Sequence, residues 1–195
     1  MRTFVALLRA VNVGGNGKLA MSELVALCEK AGFSSPTTYI QSGNVVFESD
    51  AREATVKATL EEALAAKLGA PVGVFLRGSA DLERVLADNP FKDAPPNRVI
   101  VVFFDEPLPE HTLRDVRPPD GERLALHGRE LYIHYPNGQG SSKLKLPHVA
   151  LCTARNINTV TKLAAMAQAR EKGAHDRSPA EQARARTRRG TRVAK

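Results

Sequence analysis

The sequence predicts an α+β protein of two lobes in one chain, each built on an antiparallel sheet with the order β-α-β-β-α-β, followed by a basic tail. Three observations predict this. Strand-length apolar runs alternate with runs at helical spacing. Pro95-Pro96 interrupts the chain near its middle, and an apolar strand-like run opens the segment on either side, Thr3–Arg9 and Val99–Phe104. Charge is segregated: residues 170–195 carry nine Lys/Arg against three Asp/Glu, whereas residues 1–169 carry 19 against 18.

Phe4-Val-Ala-Leu-Leu8 reads as a buried central strand, since both faces are apolar. A Gly/Asn loop, Asn12 to Lys18, leads to a helix with Met21, Leu24, Leu27, Cys28 and Ala31 on one face, stopped by Gly32. Thr37–Gln41 and Asn44–Glu48 flank Ser42-Gly43 and read as a hairpin. Asp50 with Glu53 resembles a capping box, opening a helix with Val56, Leu60, Ala63, Leu64 and Leu68 on one face. Val72–Arg77 is the fourth strand, and Ser79 caps a trailing helix ended by Asn89-Pro90. This is the split βαβ, or ferredoxin-like, order.

Beyond the Lys92–Asn97 linker the pattern restarts in weaker form. Val99–Phe104 is a strand, Glu110–Val116 a short helical segment, and Glu122–His127 with Glu130–Tyr135 a hairpin about Gly128-Arg129. Leu144–Leu151 and Thr159–Ala169 read as helices, and the last strand is not evident. The boundaries expected are 1–91 for an N-terminal ferredoxin-like lobe, 97–172 for a degenerate second one and 173–195 for the tail.

The 195 residues are 43% apolar and 25% charged, an ordinary soluble composition with material for a core. No apolar run reaches the roughly 20 residues a membrane helix needs. Met1-Arg-Thr-Phe4 runs straight into a strand without a signal-peptide pattern, and two cysteines make no disulfide framework, so a cytoplasmic protein is expected. The net charge of +7 resides almost wholly in the tail, which has no stacking aromatics. It reads as a solvated extension or as a nucleic-acid-binding arm.

Four polar clusters carry the chemistry. The first, Asn12-Val-Gly-Gly-Asn-Gly-Lys18, fails the P-loop pattern at both ends, with Asn12 in place of its first Gly and Leu19 after the Lys. Gly15-x-Gly17-x-x-Ala20 fits a dinucleotide pattern only formally, because the strand ends too early and the next strand offers Gln41 where an acid is required. A glycine-rich loop before a helix still suits an anion, with Lys18 as a point charge; a plain flexible connection is the alternative. The second cluster is Gln41-Ser-Gly-Asn44, the third Tyr135 to Lys143. The fourth, Thr153 to Thr159 with Lys162, holds more capping-type residues than one helix start requires, and Arg155 can grip an anion bidentately.

None of these clusters contains Asp, Glu, His or Cys, so no general acid or base is visible in them. Cys152, four residues after His148, lies in an apolar run and reads as a packed thiol. Ser42 and Ser142 lack an evident base. The histidines have no metal-ligand spacing, and neither metal nor cofactor is expected.

Together the clusters resemble the bacterial family known as domain of unknown function 1697. The residues that carry the resemblance are Leu7-Leu-Arg-Ala-Val-Asn-Val-Gly-Gly15 with Lys18 and Met21, Tyr39-Ile-Gln-Ser-Gly-Asn44, Asn89-Pro-Phe91, Tyr135-Pro-Asn-Gly138 with Ser142-Lys-Leu144, and Thr153-Ala-Arg-Asn156 with Asn158, Thr159 and Lys162. Ile157 departs from it, where the family pattern often has Trp. The resemblance spans roughly residues 2–170 and implies two ferredoxin-like lobes without implying an activity. The expectation is an inter-lobe cleft that binds an anion, such as a nucleotide or phosphorylated metabolite. Its lining would be Arg9, Asn12, Lys18, Gln41, Ser42 and Asn44 from one lobe. The other would give Ser142, Lys143, Arg155, Asn156, Asn158, Thr159 and Lys162. The alternatives are nucleic-acid binding through the tail, and a transferase or hydrolase in which Arg155 and Lys162 stabilise developing negative charge.

Overall fold

The structure, a computed structural model, describes residues 1–12, 18–146 and 151–175. Within them the chain is mixed α+β, with two four-stranded antiparallel sheets and four α-helices. The first half gives β1 (Arg2–Leu8), α1 (Met21–Lys30), β2 (Ser34–Thr38), β3 (Asn44–Ser49), α2 (Glu53–Leu68), β4 (Val74–Arg77) and α3 (Ser79–Ala87). The second gives β5 (Val99–Phe104), β6 (Arg123–His127), β7 (Glu130–His134), β8 (Cys152–Asn156) and α4 (Ile157–His175). The sheet orders are β2-β3-β1-β4 and β6-β7-β5-β8. The second order repeats the first, with β5 to β8 in the places of β1 to β4.

The period-2 alternation of a strand distributes β1 between two cores. Phe4, Ala6 and Leu8 face the helical layer with Leu24, Cys28, Leu60 and Leu64. Val5 and Leu7 face inward and share a core with Val99, Val101, Phe103 and Tyr132 of the second sheet. Both faces of β1 are therefore apolar, which explains its unbroken hydrophobic run. Leu82 and Val85 of α3 and Val160, Leu163, Ala164 and Ala167 of α4 complete the shared core at helical spacing. The Tyr132 hydroxyl donates to Val85 O at 2.8 Å and ties α3 to the second sheet. The outer face of the second sheet carries a smaller core of Ile100, Val102, Phe104, Leu131, Ile133 and Tyr135.

Several local expectations need correction. Asp50 does not cap α2: Arg52 holds the N-cap position without a side-chain bond, and Asp50 pairs with the Met1 amine at 2.9 Å. Gly78 rather than Ser79 caps α3, its N–H donating to Asp81 at 2.8 Å. Residues 144–146 are not helical, and residues 147–150 lie outside the described residues. The fourth cluster opens as strand β8 before α4 starts at Ile157. α4 runs to His175 and so takes in the first three residues of the expected tail. The rest of the tail lies outside the described residues. No helix among the described residues is long and apolar enough to cross a membrane.

Candidate functional site

β8 pairs with β5 so that Arg155 lies opposite Val101. That register turns Arg155 and Thr153 toward the first half of the chain. Arg155 is only 8% exposed. Its Nε donates to Asn44 Oδ1. Nη2 donates to Leu8 O at 2.8 Å, Ser42 O at 2.9 Å and Gly43 O at 3.3 Å. Nη1 donates to Thr153 Oγ1 and Ala154 O, both at 2.8 Å. Every donor nitrogen thus meets protein oxygen, and none of these oxygens belongs to a carboxylate. Burial pushes the guanidinium down to about 10, which leaves it charged at neutral pH.

The first-half loops are built around this charge. Asn12 Nδ2 donates to Leu19 O at 2.9 Å and Gln41 O at 2.8 Å, while its Oδ1 accepts the Leu19 N–H at 2.9 Å. It therefore closes the base of the first loop and joins that loop to the second cluster. Asn44 is fully buried and donates to Tyr39 O at 3.0 Å and Ser42 Oγ at 2.9 Å. Backbone strain concentrates here as well. Ala10, Asn12 and Ile40 have φ of 53°, 58° and 50°. A β-branched residue at positive φ is an outlier, and such strain gathers at functional sites.

A second buried arginine shows what is unusual about the first. Arg77 on β4 lies opposite Val5, three residues before the end of β1, as Arg155 lies opposite Val101, three residues before the end of β5. Arg77 donates to the preceding carbonyl, Leu76 O, and to Phe104 O, the last residue of β5, both at 2.8 Å. Arg155 makes the matching bonds to Ala154 O and to Leu8 O, the last residue of β1. Arg77 Nε donates at 2.7 Å to Glu130, the first residue of β7; Arg155 Nε reaches Asn44, the first residue of β3. Each half therefore sends one arginine into the other. One meets a carboxylate, and its counterpart meets a neutral amide. Beyond the strand ends the contrast continues, since Asp105 follows Phe104 and Arg9 follows Leu8.

The remaining expected site residues fall into three groups. Arg9, Lys18 and Gln41 are exposed beside the cluster, and their side chains make no hydrogen bond or ion pair among the described residues. Arg9 is close enough to Cys152 to act on it electrostatically. Asn156, Asn158, Thr159 and Lys162 sit at the start of α4. There Asn156 Oδ1 accepts the Asn158 N–H at 2.9 Å as a helix cap, and Asn156 Nδ2 donates to Asn97 O at 3.2 Å. Ser142 and Lys143 belong to the outer face of the second sheet. Ser142 Oγ donates to Glu122, which also accepts the Asp120 N–H at 2.9 Å. Second and fourth clusters therefore meet through Arg155, whereas Ser142 bonds into a separate group. The glycine-rich stretch 13–17 and His148 lie outside the described residues.

Glu122 and Glu130 are the carboxylates that the cluster-by-cluster reading missed. Ser142 does have a carboxylate neighbour, but the hydrogen bond from Ser142 holds Glu122 below the usual carboxylate range, which weakens it as a base. The crevice beside this pair is too narrow for a water molecule. Burial raises the Cys28 thiol to about 12 and raises Cys152 also, so neither is poised as a thiolate. No three of His, Cys, Asp and Glu gather into a metal site among the described residues.

The sequence profile of the family described as "Protein of unknown function (DUF1697)" matches residues 1–132. Among solved structures, the conserved bacterial protein SP0830 from Streptococcus pneumoniae is similar, with a TM-score of 0.72 and 26% identity. The match covers 85% of this chain and 98% of that one. No curated protein matches.

Proposed function

The chain belongs to the DUF1697 family of proteins of unknown function, and we propose that it is a binding protein for a phosphate-bearing anion held at the mouth of the Arg155 cluster. In this reading each half is a ferredoxin-like plait, the second with short 3-10 turns where the first has helices among the described residues.

One observation carries the reading. Arg155 is a buried cation with no carboxylate, at the position where its counterpart Arg77 has Glu130. Carbonyl dipoles solvate the guanidinium but leave its charge uncompensated. An anion about 6 Å away would gain roughly 3 kcal/mol at an effective dielectric of about 20. Arg155 acts in this scheme through its field, since its donors are committed to protein oxygens. Direct contacts fall to Arg9, which follows Leu8, to Lys18, which precedes Leu19, and to Gln41 and the Ser42 hydroxyl, all of them exposed or half-buried. Phosphate suits this set because it accepts several charge-assisted hydrogen bonds at once.

The test is thermal denaturation with inorganic pyrophosphate, in the intact chain and in the Arg9→Ala/Lys18→Ala double variant. Saturable stabilisation that the double variant loses supports the site. No stabilisation, or equal stabilisation in both proteins, refutes it.

A further inference from the structure

On the outer face of the second sheet a groove of about 600 Å³ lies between two loop segments. That is the size of a small-molecule pocket. One wall comes from Ser142-Lys-Leu-Lys-Leu146, an alternating run. Leu144 and Leu146 anchor it by packing on the outer core with Ile100, Val102 and Ile133. The Ser142 hydroxyl pins its start, donating to Glu122 and accepting the Leu144 N–H at 3.1 Å. Alternation then brings Lys143 and Lys145 to the groove. Neither makes a hydrogen bond or ion pair among the described residues.

The facing wall supplies Val116, Pro119 and Arg117. Arg117 Nη1 donates to Arg114 O at 2.8 Å and Val116 O at 3.3 Å, which holds its guanidinium against that wall. Among the described residues of the lining, Asp115 is the one carboxylate, against three cations. The groove thus sets three apolar side chains, Val116, Pro119 and Leu146, beside three cations.

We propose that this groove binds a free amphiphilic anion. The apolar body packs on Val116, Pro119 and Leu146, and its phosphate or carboxylate sits among Lys143, Lys145 and Arg117. Three cations set beside Val116, Pro119 and Leu146 suit a discrete molecule that carries one charged group on an apolar body. Neither component suffices alone, because exposed lysines hold a bare anion weakly in water and the apolar lining is small.

The probe is 1-naphthyl phosphate, titrated against the full chain by fluorescence. Inorganic phosphate, 1-naphthol and anionic phosphatidylglycerol vesicles serve as the other arms. The proposal expects saturable binding at least tenfold tighter than for phosphate or naphthol. It also expects a tenfold or greater loss in Lys143→Glu/Lys145→Glu. Comparable affinity for inorganic phosphate, or an unchanged affinity in the double variant, overturns it. Binding to vesicles without binding to naphthyl phosphate makes the face a membrane-docking surface and overturns it too. If the double variant does not fold, amide shifts of the parent protein decide. Perturbation by naphthyl phosphate centred on Val116 and Leu146 supports the groove, and perturbation centred elsewhere overturns it.

Discussion

Arg155 and Arg77 hold equivalent register positions in the two halves, and each binds the last carbonyl of the first strand of the other half. Their third partners differ, an Asn44 amide for Arg155 and a Glu130 carboxylate for Arg77. The pair reads as a reciprocal clasp in which one member is electrically neutralised and the other is not.

Removing Arg155 is expected to weaken the whole fold. Arg155→Ala leaves the Asn44 oxygen and three carbonyls of the first half without this donor, and a loss of about 3–5 kcal/mol in urea unfolding is expected. Arg155→Lys keeps the charge but lacks the planar fork, so it should restore only part of that loss. A variant as stable as the parent would show that the clasp does not join the halves.

The neutralised member gives the complementary test. Glu130→Gln leaves Arg77 facing an amide, which reproduces the Arg155 arrangement. Burial already lowers the Arg77 guanidinium, with Glu130 opposing that effect. A destabilisation of about 1–3 kcal/mol is expected in urea unfolding, from loss of a buried charge-assisted bond. No change would mean that the carboxylate is not needed where the amide suffices.

Legibility from the sequence followed the chemistry of burial. β1 and β5 were plain because both of their faces are apolar. β8 was not, because its inward positions are Thr153 and Arg155, whose polar groups are satisfied by carbonyls of the distant first half. Main-chain partners leave no trace in side-chain patterning, so Arg155 read as a free anion grip. The crowd of Asn and Thr at residues 153–159 contained a cap, Asn156, as expected of such residues. The pairing of Glu130 with Arg77, 53 residues apart, had no local signature.

Backbone strain near the clasp gives opposite signs at two positions. Gly43 has φ of 69°, and a Cβ there would lie 2.9 Å from Leu8 Cβ, so Gly43→Ala should destabilise by about 1–3 kcal/mol. Ile40 is exposed with φ of 50°, and Ile40→Asn should stabilise by about 1 kcal/mol because Asn tolerates that conformation. Thermal midpoints of the two variants check both signs, and equal signs would contradict the strain argument.

Glu122 predicts a pH dependence. The Ser142 hydrogen bond lowers its pKa in the folded protein, so this contribution is present above the ordinary glutamate value and is lost as pH falls through the lowered one. Ser142→Ala should therefore differ from the parent in urea midpoint at neutral pH, and the two curves should converge in acid. A constant difference across the range would remove Glu122 as its source.

The proposed phosphate site is tested most directly by placing a carboxylate beside Arg155 with Asn44→Asp and measuring pyrophosphate-dependent stabilisation against each protein's own baseline. The parent at about 100 times its dissociation constant should gain roughly 2.7 kcal/mol, a rise of about 5–11 °C for a chain of this size. The variant, its buried charge already neutralised, should lose most of that rise. An equal rise in both proteins would contradict the claim that the uncompensated charge of Arg155 draws the ligand.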